Sequence, residues 1–154
     1  NRVWKPNVTV AALIEREGRF LLVEEETEDG LRFNQPAGHL DAGESLVAAC
    51  AREALEETAY TFAPTELVGI YQWPRPQGDI TYLRFAFAGK VGACDTARRL
   101  DAGILRAVWM TPDEIRASDK AYVHQFVWGE MDGPVPFQYP SAPYQEQIYG
   151  AGHA

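Results

Sequence analysis

Gly38-His39-Leu40-Asp41-Ala42-Gly43-Glu44-Ser45-Leu46-Val47-Ala48-Ala49-Cys50-Ala51-Arg52-Glu53-Ala54-Leu55-Glu56-Glu57-Thr58-Ala59-Tyr60 is the stretch on which the reading of this chain turns. Ser45 is an N-cap candidate and 45–58 holds neither Gly nor Pro, so the segment predicts a helix. Val47, Ala51, Ala54 and Thr58 recur at spacings of four and three, which predicts one small-residue packing face. Glu53, Glu56 and Glu57 stand at i, i+3 and i+4, so their carboxylates project together. They repel one another, and they lie in the C-terminal half of the helix, where its dipole disfavours negative charge. Such a local cost is expected of a functional site more than of a neutral face.

A hard divalent cation would remove that cost. Mg²⁺ or Mn²⁺ takes oxygen ligands and keeps waters and substrate phosphates in its shell. The same three Glu also allow a plain solvated acidic helix face paired with Arg52. The full spacing says more: Gly38, five residues, Glu44, seven residues, Arg52-Glu53, two residues, Glu56-Glu57. This pattern resembles the Nudix box. Two positions depart from it. Ala54 stands where a large aliphatic is frequent, and Ala59 stands where the box has Gly. If that position is a left-handed helix C-cap, Ala59 costs on the order of 1 kcal/mol there.

The resemblance implies a Nudix fold, an α/β/α sandwich around a mixed β-sheet, as a single domain over 1–154 with its box at 38–60. It implies hydrolysis of a nucleoside diphosphate linked to another moiety, or of similar pyrophosphates. Lys5-Pro6-Asn7-Val8-Thr9-Val10, Leu22-Val23-Glu24-Glu25-Glu26, Asn34-Gln35-Pro36-Ala37-Gly38-His39-Leu40, Tyr71-Gln72-Trp73-Pro74 and Tyr82-Leu83-Arg84-Phe85 extend the likeness over about 5–140. These segments look like the small bacterial Nudix phosphatases acting on nucleoside tri- and diphosphates and thiamine-pathway pyrophosphates, which tend to release orthophosphate. The alternatives are a hydrolase of ADP-ribose, NADH or coenzyme A conjugates, and a nucleotide sensor that cleaves nothing.

By position in the motif, Glu56 and Glu57 are the principal Mg²⁺ ligands and the Gly38 carbonyl a further one. Glu53 is a third ligand or the general base, and like charge beside it should raise its proton affinity. Arg52 would hold Glu53 or a neighbour in place, and Glu44, ahead of the helix, would act behind the ligands. The base can also come from outside the box. Asp101, just before a predicted strand, is the candidate for a further ligand or base, or it simply caps its loop. Arg84, Arg75 and Lys5 are candidates to meet substrate phosphates, Arg84 first because it interrupts an apolar strand. Trp73 and Tyr71 either stack on a substrate ring or belong to the core. His39, His124 and His153 carry no argument for catalysis.

Composition fits these readings. The 154 residues hold 46% hydrophobic and 23% charged side chains, which suits one globular domain. Fourteen Lys and Arg face 22 Asp and Glu, for a net charge of −8. That argues against a nucleic-acid polymer or an anionic membrane as partner; the small phosphorylated substrate that the resemblance implies would need local compensation such as a metal ion. The composition leaves oligomeric state open. Asn1 is not Met, and the N-terminus shows no basic start followed by an apolar run, so no signal peptide is expected. No apolar run approaches a membrane span. Cys50 and Cys94 follow no metal-ligand spacing and read as two reduced thiols of a cytoplasmic protein.

Strands are expected at 7–14 and 19–25, pairing through a turn at 15–18, with 24–30 as a charged loop. Pro36 should interrupt any strand at 34–38. Further strands are expected at 66–73, 80–88 and 104–110. Thr111-Pro112-Asp113-Glu114 is a helix start. A last helix is expected over about 119–130, with a Pro- and Tyr-rich tail from 134.

Overall fold

The strands β1 (Asn7–Leu13), β5 (Ala37–His39), β6 (Tyr60–Pro74) and β7 (Thr81–Cys94) make one sheet, in the order β5-β1-β7-β6. A computed structural model describes residues 2–28 and 30–118. In this sheet β1 runs parallel to β7, with Val10 opposite Phe85, while β5–β1 and β6–β7 are antiparallel. A second sheet is centred on β3 (Arg19–Thr27). β2 (Glu15–Arg16) and β4 (Gly30–Asn34) pair with β3 along one side, and β8 (Ile104–Met110) along the other. The chain is thus α/β with a mixed sheet, as expected.

Residues 10–14 are buried throughout, because β1 is covered on both faces and cannot alternate with polar residues. The two-residue period of the strand sends its side chains to two different cores. Val10 and Ala12 meet α1 (Leu46–Thr58) together with Ile14, Leu21, Phe62 and Phe87. Ala11 and Leu13 face the other way, toward Leu22, Phe33, Val68, Tyr71, Met110 and Ile115. Ile115 comes from α2 (Pro112–Ala117) and is fully buried.

Several expectations change in detail. The turn at 15–18 forms, but its hairpin consists of β2 and the start of β3; β1 itself pairs with β5 and β7. The expected charged loop 24–30 is mostly strand, since β3 continues to Thr27 and β4 begins at Gly30. Its glutamates can stay in the ladder because they are partnered there: Arg106 Nε donates to the buried Glu24 at 2.8 Å and Asn34 Nδ2 to Glu25 at 2.5 Å. The strands expected at 66–73 and 80–88 are parts of the longer β6 and β7. Pro64 obscured the start of β6, and it is tolerated where the ladder slips register between Pro64 and Glu66. Across from it, a Cβ on Gly89 would overlap the Ala63 backbone, so Gly is needed for the close approach. The buried face of α1 is Ala49, Cys50, Ala54 and Thr58, whereas Val47 is 47% exposed. Pro36 does break the chain between β4 and β5, and strand 104–110 lies where expected. The helix expected at 119–130 and the tail lie outside the described residues.

Candidate active site

Ser45 Oγ accepts from the Ala48 N–H at 3.0 Å, which starts α1 as the sequence requires. The helix ends at Ala59 in the left-handed region, φ 65°, its N–H donating to the Leu55 carbonyl. The strain anticipated for Ala at this Gly position is therefore present. Between these ends, α1 carries its acids onto the side facing β5.

Arg52 organises them. Its Nε donates to Glu44 Oε2 at 2.6 Å and its Nη2 to Glu44 Oε1 at 2.9 Å, a forked pair. Nη1 donates to Glu53 Oε1 at 2.5 Å and to Glu56 Oε1 at 3.0 Å. Nη2 also donates to the His39 carbonyl, and Asp41 stands 3.4 Å away. One guanidinium thus ties the box loop to the helix face. The Arg52 hydrogen bonds hold the Glu44 carboxyl below its ordinary pKa, and the same contacts raise that of Arg52.

Glu53 lies against Gly38. A Cβ at that position would overlap the Glu53 carboxylate, so only Gly lets strand and carboxylate meet. Glu57 accepts from the Ala37 N–H at 3.0 Å. Burial pushes the Glu57 carboxyl up from 4.5 to about 8; the Ala37 N–H opposes this, while Glu53, Glu25 and Asp101 add to it. Glu53 is also raised, by burial first and against the pull of Arg52. Desolvation, more than the like-charge repulsion expected from the sequence, dominates both shifts.

Asp101 joins this group. Carboxylate oxygens of Glu53, Glu56 and Asp101 lie within 4.8 Å of one another. The Asp101 N–H donates to the Glu56 carbonyl at 3.1 Å, which fastens its loop to the helix end, and its own carbonyl accepts from Ile104. The residue is therefore both a loop fastener and a neighbour of the box acids. The clustered carboxylates of Glu53, Glu56 and Asp101, two of them held by Arg52, form an all-oxygen donor set. That set fits a hard divalent cation.

The expected substrate contacts divide. Arg84 donates through Nη2 to Gln35, which is itself buried. Trp73 is half-buried and stacks with Tyr82 at 6.0 Å and 20°. Arg75 sits in the turn between β6 and β7, 3.3 Å from Asp79, and Lys5 is exposed ahead of β1. Tyr71 is 4% exposed and belongs to the core. His124 and His153 lie outside the described residues.

Residues not singled out from the sequence also border the site. Glu25 acts on Glu57 and is held by Asn34 Nδ2 at 2.5 Å. Alternation along β3 places Glu25 on the same face as Leu21 and Val23, the face that meets α1. That period was the available signal. Gln35 and Asp41 had none, because their partners are distant in the chain or sit across a loop.

Among the described residues no helix is long and apolar enough to cross a membrane, and Cys50 and Cys94 are not joined in a disulfide. A family model for the NUDIX domain matches residues 4–127. Phosphatase NudJ of Escherichia coli (strain K12) is 40% identical over 113 residues, which cover 73% of this chain and 73% of the relative. The solved NUDIX hydrolase from Nitrosomonas europaea is 49% identical with a TM-score of 0.76, over 81% of this chain and 86% of that one. The MutT protein from Methanosarcina mazei Go1 is 26% identical with a TM-score of 0.61, over 78% of this chain and 88% of that one. Box, fold and relatives agree, and the chain belongs to the Nudix family as a hydrolase of phosphoanhydride bonds.

Proposed function

We propose that this chain is a Mg²⁺-dependent phosphatase of nucleoside tri- and diphosphates or thiamine-pathway pyrophosphates, releasing orthophosphate. The observation that carries the proposal is the convergence of Glu53, Glu56 and Asp101, with Glu53 against Gly38 and the half-buried Glu57 bonded to the Ala37 N–H. The name of the Escherichia coli relative, a phosphatase, supports the orthophosphate product. Glu56, Glu57 and the Gly38 carbonyl would hold Mg²⁺ or Mn²⁺, with Glu53 serving as the general base in place of a third ligand and Asp101 as a further ligand or base. The cation supplies charge neutralisation at the phosphates and Lewis acidity at phosphorus.

The chain's own groups do the rest. Glu53 accepts a proton from the attacking water as its oxygen bonds to phosphorus and the bridging P–O bond breaks. Arg52, forked onto Glu44, fixes the rotamers of Glu53 and Glu56 so that this base is placed before substrate arrives. Arg84, oriented by Gln35, meets substrate phosphate, Trp73 meets the substrate ring, and Arg75 lies at the rim.

The test is product release from GTP, GDP, ATP, thiamine pyrophosphate, hydroxymethylpyrimidine pyrophosphate, ADP-ribose and coenzyme A, with and without EDTA. Orthophosphate and pyrophosphate are quantified separately. Metal-dependent orthophosphate from several tri- and diphosphates is the expected result. Cleavage of ADP-ribose or coenzyme A alone would overturn the substrate reading, and silence throughout would favour a nucleotide sensor.

A further inference from the structure

Ala59 ends α1 with φ 65°, directly after the turn that carries Glu56 and Glu57. A residue other than glycine persists in the left-handed region only where its surroundings fix it. Here they do so on every side. The Ala59 N–H donates to the Leu55 carbonyl at 2.9 Å, and the Ala59 carbonyl accepts from the Asp95 N–H at 2.8 Å. The buried Thr58 Oγ1 donates to the Ala54 carbonyl at 2.6 Å and accepts from the Tyr60 N–H at 3.1 Å. The Tyr60 side chain is held in turn. Its hydroxyl accepts from Trp109 Nε1 at 3.0 Å, and the two rings meet edge to face at 5.5 Å and 88°. The Arg16 guanidinium lies over both rings, 4.5 Å from the centre of Trp109 and 5.5 Å from that of Tyr60. Tyr60 opens β6 in one sheet, while Arg16 in β2 and Trp109 in β8 belong to the other. The cluster therefore ties the end of α1 to both sheets.

The cap reaches the acids through the loop between β7 and β8. That loop begins at Asp95, bonded to Ala59, and near its far end the Asp101 N–H donates to the Glu56 carbonyl at 3.1 Å. It is thus fastened to the last turn of α1 at two points, and the Asp101 carboxylate stands with those of Glu53 and Glu56. If Ala59 leaves the left-handed region, its carbonyl turns away from Asp95, and the fastening that sets Asp101 loosens with it.

We infer that Trp109 and Arg16, acting through Tyr60, are positioning residues that hold the left-handed Ala59 cap and thereby keep the Asp101 carboxylate beside Glu53 and Glu56. The inference rests on the proposed function only in taking these acids to surround a cation. The ring cluster does here what a glycine at position 59 would do unaided. Glycine adopts the left-handed conformation without strain, so the need for Trp109 and Arg16 depends on which residue stands at 59.

The test compares Trp109→Phe, which keeps a ring and removes the donor, with Ala59→Gly and with the double variant. One readout is hydrogen exchange at the Asp95 and Asp101 amides of the metal-free protein. The other is Mn²⁺ affinity by electron paramagnetic resonance. Trp109→Phe should speed exchange at both amides about fivefold and weaken Mn²⁺ about threefold, in line with the loss of one hydrogen bond. Arg16→Met should change each about twofold. Adding Ala59→Gly should return both quantities to their wild-type values. A ring pair that merely packs would give the same losses with and without Ala59→Gly, and that result, or no loss in either background, would overturn the inference. If Trp109→Phe does not fold, Tyr60→Phe removes the same bond from its other end and carries the same comparison. A wild-type protein that binds no Mn²⁺ would overturn the cation reading alone, because exchange is measured without metal and still decides the role of the cluster.

Discussion

α1 and α2 place their charges in opposite ways. α2 begins with a capping box between Thr111 and Glu114, has Asp113 and Glu114 in its first turn and Arg116 in its last. Each of these choices suits the helix dipole and the unpaired N–H groups of a helix start. α1 has no acid in its first turn and no base in its last, which instead contains Glu56 and Glu57. The same residue type responds accordingly. The Thr111 hydrogen bonds hold the Glu114 carboxyl below its ordinary pKa, whereas burial pushes that of Glu57 up to about 8. α2 is built for local stability. α1 breaks the local rules where strand, loop and helix bring carboxylates together, and Arg52 offsets part of the repulsion, the remainder being what a divalent cation would relieve.

Changes at Glu57 test that contrast hardest. Glu57→Gln should lower turnover by roughly 10³-fold, as for loss of a group acting directly in the chemistry. The same change should leave the metal-free protein at least as stable at pH 8, because it removes a half-buried, desolvated charge. Steady-state kinetics beside a thermal melt reads both; unchanged turnover would break the contrast. Gly38→Ala comes next. Its Cβ would drive the Glu53 carboxylate aside, so turnover should fall by roughly 10²-fold while the circular dichroism spectrum stays that of the wild type. Activity within twofold of wild type would show that Glu53 need not sit against the strand.

Stability against pH sharpens the comparison further. The Glu57 carboxyl is raised in the folded state from 4.5 to about 8, and Glu53 is raised as well. The folded, metal-free chain therefore binds protons more readily than the unfolded chain between those values. Stability from this source is full below pH 4.5 and is lost as pH rises toward 8. Urea midpoints of the metal-free protein should fall from pH 5 to pH 8, and Glu57→Gln should flatten the slope. A rising midpoint would contradict the buried-acid account.

The smallest effects lie at the helix caps. Thr111→Ala removes the side chain that accepts from the Glu114 N–H and should cost about 1 kcal/mol with turnover intact. Ala59→Gly relieves a left-handed alanine and should gain up to about 1 kcal/mol, or roughly 2–4 °C in Tm, again with turnover intact. If Ala59→Gly destabilises, the entropy that glycine loses on folding outweighs the strain.

Much of the site was legible because its spacing is local. Glu53, Glu56 and Glu57 share a face by helical periodicity alone, Ser45 and Thr111 announce their helices, and Ala59 was marked by the glycine it replaces. Asp101 could be named from its place before a strand, but only folding brings its carboxylate to Glu53 and Glu56. Glu25 was missed although strand alternation marked its face, while Gln35, Asp41 and Tyr82 were missed as partners because a contact across strands or a loop leaves no mark in local spacing. The core face of α1 was misread at Val47 because apolar periodicity shows which residues can pack, not which side the sheet will cover.

Sequence by itself determined the acidic helix face, its caps, the alternation of the strands and the family. These depend on interactions within a turn or two of chain, where spacing dictates geometry. Only the tertiary structure decided that β1 pairs with β5 and β7, that Arg52 grips Glu44, Glu53 and Glu56 together, and that a row of rings runs from Trp73 through Tyr82 to His39. It also decided how far burial raises Glu57. Desolvation and cross-strand contact depend on what the rest of the chain places nearby, and no local pattern records that.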